Sequence, residues 1–235
     1  MKRKNITILL IIVLFFLFVA TATVSFNLSP SKTTVENHSL STEVLGSTSY
    51  GQVVKEGPYG NTSSNVKIAY IVGVHPLESQ AHQAMVESIA EHNSTLKYCY
   101  YIYRVNVTEN ADNYNIGRMN GQLLANKFVV PDIEKQKFQL VIDVHSNVGN
   151  WAETRFLFAP VNNSKAESIA MNIKNNLPWL TCYVPPDPTS PVYVTVPLIN
   201  AGIPAIVYET YHNDSFETIK NHADEFVLTV DNITI

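Results

Sequence analysis

The sequence predicts an α/β fold, with helices packed on a largely parallel sheet. Two observations carry this expectation. From Asn65 onward, short apolar runs rich in Val, Ile and Tyr alternate with longer stretches of helical character. Strands separated by helices build parallel sheets covered on both faces, and such strands read as nearly continuous apolar runs.

The elements follow in chain order. Val66–Val74 (VKIAYIVGV) has the composition of a buried strand, and 78–92 has helical character. Residues 97–107 are strand-like, 119–128 helical, and Leu140–Val144 a short apolar strand. Residues 154–159 form another strand, followed by a helix over 164–176 that Ser164 is placed to cap. A short helix over 196–201 closes at Gly202, Ile203–Glu209 is a strand, and 215–230 the final helix. No internal repeat is present.

Upstream of this body lie two segments of different character. Residues 1–26 place Lys2, Arg3 and Lys4 before a largely apolar stretch of 21 residues, Ile6–Phe26. That length suffices to cross a bilayer core of about 30 Å, and the basic flank orients the body outward. Ala20-Thr21-Ala22 also fits a signal-peptidase site, so an uncleaved anchor and a cleaved signal peptide both satisfy the sequence. Residues 27–64 are rich in Ser, Thr, Asn and Gly without sustained period and are expected to be a flexible stalk or lead-in to the main domain over 65–235. Beyond the N-terminal segment, eight Asn-x-Ser/Thr sequons, at Asn27, Asn37, Asn61, Asn93, Asn106, Asn162, Asn213 and Asn232, agree with an exported body. Cys99 and Cys182 either pair or remain as two buried thiols.

Charge excludes one class of partner. Beyond the three N-terminal basic residues, 13 Lys and Arg face 20 Asp and Glu, a net charge of about −7. Nucleic-acid binding needs clustered cations and is not expected. Outside the leader the chain has only Arg104, Arg118 and Arg155, so any site that requires a guanidinium draws on these three.

In a parallel sheet, ligands gather at the carboxyl ends of the strands. His75 follows the strand 66–74, His145 follows 140–144, and Glu209 ends the strand from Ile203. His75-Pro76-Leu77-Glu78 is an H-x-x-E pair at a strand-to-helix turn, which brings both side chains to one side. Two histidines and one carboxylate, with a fourth position left to water, form the recurrent catalytic set for one zinc ion. Asp143 shares the strand face of His145 and is placed to orient its imidazole. Glu209 is the expected general base, since zinc lowers the pKa of bound water toward about 7. Each signal alone is weak, because a strand-end histidine is usually an ordinary surface or core residue; their conjunction is far more specific. His82 and His92 read as polar-face helix residues, His38 and His222 as solvent residues, and His212 as a loop residue near Glu209.

The H-x-x-E pair, I-D-V-H-S at 142–146 and a strand ending in Glu209 together resemble the zinc carboxypeptidase family over residues 65–230. The short interval from His75 to His145 is similar to its compact branch, the succinylglutamate desuccinylase/aspartoacylase group. The resemblance implies a mixed eight-stranded sheet between helices, His75, Glu78 and His145 as zinc ligands, and Glu209 as base and proton shuttle. The chain departs from the family in having Pro76 where Gly often follows the first His, and in lacking an adjacent Asn-Arg pair. The nearest counterpart is the segment Asn113–Arg118, which makes Arg118 the expected carboxylate-binding or oxyanion-polarising residue and Asn115 its helper. Arg155 is the substitute, and one of Tyr183, Tyr193, Tyr208 or Tyr211 is expected at the substrate. The implied activity is an extracytoplasmic zinc peptidase cutting an amide bond near a carboxylate, with cell-wall peptides as a substrate class. An N-acyl amino acid deacylase of the aspartoacylase type and a non-catalytic binding module on the same fold are the competing expectations.

Overall fold

The computed structural model describes residues 40–162 and 164–235. The expected anchor or signal segment, 1–26, lies outside the described residues. No helix among the described residues is long and apolar enough to cross a membrane.

The strands are β1 (Ser41–Thr48), β2 (Gly51–Gly60), β3 (Lys67–Val72), β4 (Cys99–Val107), β5 (Leu140–Asn147), β6 (Phe156–Phe158), β7 (Thr181–Cys182) and β8 (Ala205–Tyr211). The helices are α1 (Ser79–Glu91), α2 (Tyr114–Leu124), α3 (Val130–Gln136), α4 (Lys165–Asn176), α5 (Thr195–Asn200) and α6 (Phe216–Asn232). All eight strands join one sheet in the order β1-β2-β4-β3-β5-β8-β6-β7. The central strands β4, β3, β5 and β8 run parallel, whereas β1, β2 and β6 pair antiparallel. This is the mixed eight-stranded α/β sheet implied by the resemblance.

The expectation for 27–64 needs correction over its described part. Residues 41–48 and 51–60 are strands, and Val53 and Val54 of β2 are buried against β4. Abundant Ser, Thr and Gly hid them: β1 is an exposed edge strand, so its period is not enforced by a core.

Side chains alternate between two cores. Ile68, Tyr70, Ile142, Val144, Ile206 and Tyr208 face α1, α4 and α6, while Ala69, Ile71, Val141 and Ala205 face α2, α3 and α5. Asp143 and His145 continue the second series, so they emerge on the α2 side. Ser164 caps α4 by accepting from the Glu167 N–H, as its sequence position predicts. The helix expected over 119–128 is longer at both ends: α2 starts at Tyr114, capped by Asn113, and runs through a π-type turn at Ala125–Val129 into α3. Pro131, lacking an N–H, disrupts the regular hydrogen-bond ladder at that junction.

One close approach fixes α2 over the strand ends. A Cβ on Gly121 would lie 2.0 Å from the Val74 carbonyl oxygen, next to His75. Gly121→Ala must therefore push α2 away from β3. We expect it to destabilise the fold by about 2 kcal/mol, read from the urea midpoint; an unchanged midpoint would show that the contact yields freely. Cys99 and Cys182 are free and lie on β4 and β7, separated by four strands of the sheet, so the expected alternative of unpaired thiols holds.

Candidate metal centre

Strand order brings the ionisable residues together. From β3 the chain reaches β4 on one side, and β5 then pairs with β3 on the other. A crevice opens where such connections diverge. His75 lies just beyond β3, Glu78 ends the 3-10 turn Pro76–Glu78, and His145 lies directly opposite Glu209 in the β5–β8 register. Side chains opposite each other on adjacent strands share a face, so Glu209 shares the ligand side of the sheet.

The first three groups are held around one carboxylate. Glu78 Oε1 lies 2.9 Å from His75 Nδ1, and Oε2 lies 2.9 Å from His145 Nδ1. The Ser146 N–H donates to Oε2 at 3.0 Å, and Arg118 Nη1 donates to Oε1 at 2.9 Å. All three side chains are buried, and their donor atoms lie within 4.8 Å of one another. Two imidazoles and one carboxylate at this spacing fit a borderline divalent cation that takes nitrogen and oxygen ligands.

The protein groups set their own charge balance. Burial opposes ionisation of Glu78, but His75 and His145 outweigh it and hold its carboxyl well below the usual range. Burial, reinforced by His145 and Arg118 and resisted by Glu78, brings the His75 pKa down to about 4. For His145 burial also opposes charge, yet Asp143 and Glu78 overcome it and hold its pKa well above the ordinary value. Asp143, fully buried behind the ring, has Oδ2 3.0 Å from His145 Nε2, within ion-pair reach though not aligned as a hydrogen bond. Glu209 is raised to about 8, chiefly by burial and further by Glu78, against the opposing pull of His145, Asn147 and Arg118. Asn147 Nδ2 lies 3.5 Å from its Oε2.

His75 and Glu209 open onto two adjoining hollows of about 390 and 220 Å³, and Glu78 onto the smaller. Both are lined by His75, Tyr114, Arg118, Asn150, Trp151 and Glu209. The larger runs toward Phe158, Val207, Asp187 and Thr189, the smaller toward Leu77, Val148 and His212. A separate hollow of about 560 Å³ along α1 and β4 is bigger but includes neither the His–Glu–His group nor Glu209. The chemistry therefore belongs to the smaller pair.

Most of the expected site residues meet here. Arg118 reaches Glu78 and lies over the Tyr114 ring at 4.9 Å, and Asn115 lines the larger hollow. Arg155 does not take part: it is held by Asp214 through bonds of 2.8 and 2.6 Å. None of the four nominated tyrosines lines either hollow. Tyr208 packs on Phe226 in the core, and Tyr183 meets Phe156 edge-on. The tyrosine at the site is Tyr114, outside the 183–211 stretch. His82 is buried rather than on a polar face, with Nε2 3.2 Å from the Val144 carbonyl oxygen. His222 stacks on Trp179 at 4.0 Å rather than standing in solvent. His212 does reach the smaller hollow. Sequence reasoning also missed Gln122 and Trp151. Gln122 offered one signal, its place one turn after Arg118 on the same helix, i to i+4.

No protein-family model matches the chain, and no curated protein matches it by sequence. Solved structures do. A metallo-carboxypeptidase from Pseudomonas aeruginosa, in complex with (2-guanidinoethylmercapto)succinic acid, aligns with a TM-score of 0.52 at 14% identity, covering 83% of this chain and 63% of the other. An aspartoacylase family protein from Mesorhizobium loti gives 0.52 at 13% identity, covering 81% and 66%. The tripeptide-bound cell shape determinant protein Csd4 from Helicobacter pylori gives 0.52 at 10% identity, covering 77% and 54%. The chain thus spans less than two-thirds of the length of these structures. It has the fold of metallo-carboxypeptidases and aspartoacylase-family proteins.

Proposed function

We propose that this protein is a zinc-dependent peptidase that hydrolyses an amide bond near a carboxylate. The observation that carries this reading is the buried His75–Glu78–His145 group with Glu209 opposite His145 in the β5–β8 register. His75, Glu78 and His145 would hold a zinc ion, for which two imidazoles and one carboxylate are a recurrent ligand set, and the ion would supply Lewis acidity and lower the pKa of a bound water toward about 7.

The remaining chemistry belongs to the chain. Glu209, as carboxylate, takes a proton from the attacking water and returns it to the leaving nitrogen. Its burial keeps its basicity high enough to accept that proton. Arg118, the only cationic side chain among the described residues lining both hollows, neutralises a substrate carboxylate or the developing negative charge on the carbonyl oxygen. Tyr114 and Trp151 wall the seam between the hollows, where the scissile bond would lie.

The substrate we propose is a peptide, with cell-envelope peptides as the first class to examine. The N-terminal apolar stretch supports an extracytoplasmic body, tethered if that stretch is retained. Exposure of all six sequon asparagines among the described residues (Asn61, Asn93, Asn106, Asn162, Asn213 and Asn232) agrees with that placement. The test is metal analysis of the purified protein, followed by turnover of ordinary peptides, envelope-type peptides and N-acyl amino acids, with product masses locating the cut bond. About one equivalent of zinc and peptide cleavage are expected. Less than about half an equivalent after metal-replete purification would overturn the catalytic reading, and exclusive turnover of N-acyl amino acids would reassign the enzyme as a deacylase.

A further inference from the structure

The two candidate histidine ligands are backed differently. Behind His145 stands a carboxylate, Asp143. Behind His75 stands a neutral amide: Gln122, 2% exposed on α2, places its side-chain nitrogen 3.1 Å from His75 Nε2. The same amide nitrogen lies 3.2 Å from Thr189 Oγ1. Thr189 also lies 3.5 Å from Arg118 Nη2.

The difference matters because the two ring nitrogens of a histidine exchange roles with its tautomer. With the proton on Nδ1, His75 donates to Glu78 and its Nε2 accepts a hydrogen bond. With Nδ1 committed to a metal ion, the proton moves to Nε2, which then needs an acceptor. A carboxylate partner serves only the second state. An amide serves both, because rotation about its terminal bond exchanges NH2 for oxygen at nearly the same position. A hydroxyl can follow that exchange, accepting from the NH2 in one state and donating to the oxygen in the other. Gln122 and Thr189 are such a pair, with the amide against His75 Nε2 and the hydroxyl against the amide.

We propose that Gln122 is the positioning residue of His75, holding the ring in register for metal in either tautomer, with Thr189 as the hydroxyl that lets the amide turn. This rests on the reading that His75, Glu78 and His145 hold the ion. In the metal-loaded protein the Gln122 oxygen would accept a hydrogen bond from the His75 Nε2–H. Without zinc its NH2 group donates to that nitrogen instead.

The test measures zinc affinity by competition with a chromophoric chelator, together with 15N chemical shifts of the His75 ring with and without zinc. Gln122→Met should weaken zinc binding about 10- to 100-fold, the usual effect of removing an outer partner of a ligand. The thermal midpoint of the zinc-free protein should stay close to that of the wild type. Gln122→Glu, which still offers an acceptor, should restore affinity to within about threefold of the wild type or tighten it. In the wild type, the protonated ring nitrogen of His75 should change from Nδ1 to Nε2 on zinc binding. Gln122→Met affinity within about threefold of the wild type would overturn the proposal, as would an Nε2 proton already present without zinc. If Gln122→Met does not fold, Thr189→Val replaces it: a smaller loss of affinity is expected, and none would count against the proposal. A wild-type protein that binds no zinc would instead remove the functional reading itself, so the two failures are distinguishable.

Discussion

Replacing Glu209 with glutamine is expected to lower kcat by about 10³-fold or more, within the usual range for a general base, while leaving zinc content unchanged. The substitution keeps the shape of the side chain and removes its ability to accept a proton. Glu209 is not among the three clustered ligand candidates, so metal retention separates its role from theirs. Retained hydrolysis at full zinc content would mean that another group carries the proton. The same variant has a second readout in the zinc-free protein. The carboxyl of Glu209 is raised from 4.5 to about 8, so its folded form favours the proton. Its contribution to stability is fully present below about pH 4.5 and is lost as pH rises through about 8. Glutamine cannot ionise, so the zinc-free variant should lose less stability than the wild type over that window. An identical pH profile would place Glu209 in a more solvated setting than this structure gives it.

Replacing His145 with alanine should produce the largest combined effect. Zinc content is expected to fall below about half an equivalent, because two ligands alone make a poor site. Stability of the zinc-free protein should fall by about 3–5 kcal/mol, the usual result of removing one member of a buried charged set. The reason lies in the neighbours. Asp143 and Glu78 are both buried beside the ring, and without it Asp143 loses the one cation paired with it among the described residues, while Glu78 keeps Arg118, His75 and the Ser146 N–H. Equilibrium urea unfolding measures the second effect and metal analysis the first. A variant with full zinc content would remove His145 from the ligand set.

The candidate site was legible in the sequence because three of its members, His75, His145 and Glu209, stand toward the carboxyl ends of strands, where an apolar run gives way to ionisable residues, and Glu78 follows His75 at a spacing of three. His75, His145 and Glu209 each follow a run that only a doubly covered strand explains. The same logic failed at Tyr183 and Tyr208, since proximity along the chain to Glu209 does not decide which face a side chain takes. Tyr208 precedes Glu209 by one residue and therefore points to the opposite side of the sheet, into the core with Phe226. Arg155 failed for a different reason: its partner Asp214 lies 59 residues away, a pairing invisible to local reading.

By itself, then, the sequence determined the alternation of strands and helices, the ionisable residues at the strand ends and the acidic body, because each is written in local periodicity and residue chemistry. Only the tertiary structure decided what surrounds them. Strand order placed β5 between β3 and β8, which makes three separate strand ends into one site. The approach of α2 over Gly121 brought Tyr114 and Gln122 to that site beside Arg118, the one residue of the three that the sequence had placed there. Pairing with β2 turned residues 41–48 from an expected stalk into an edge strand. These are long-range contacts, set by how layers pack rather than by any window of neighbouring residues.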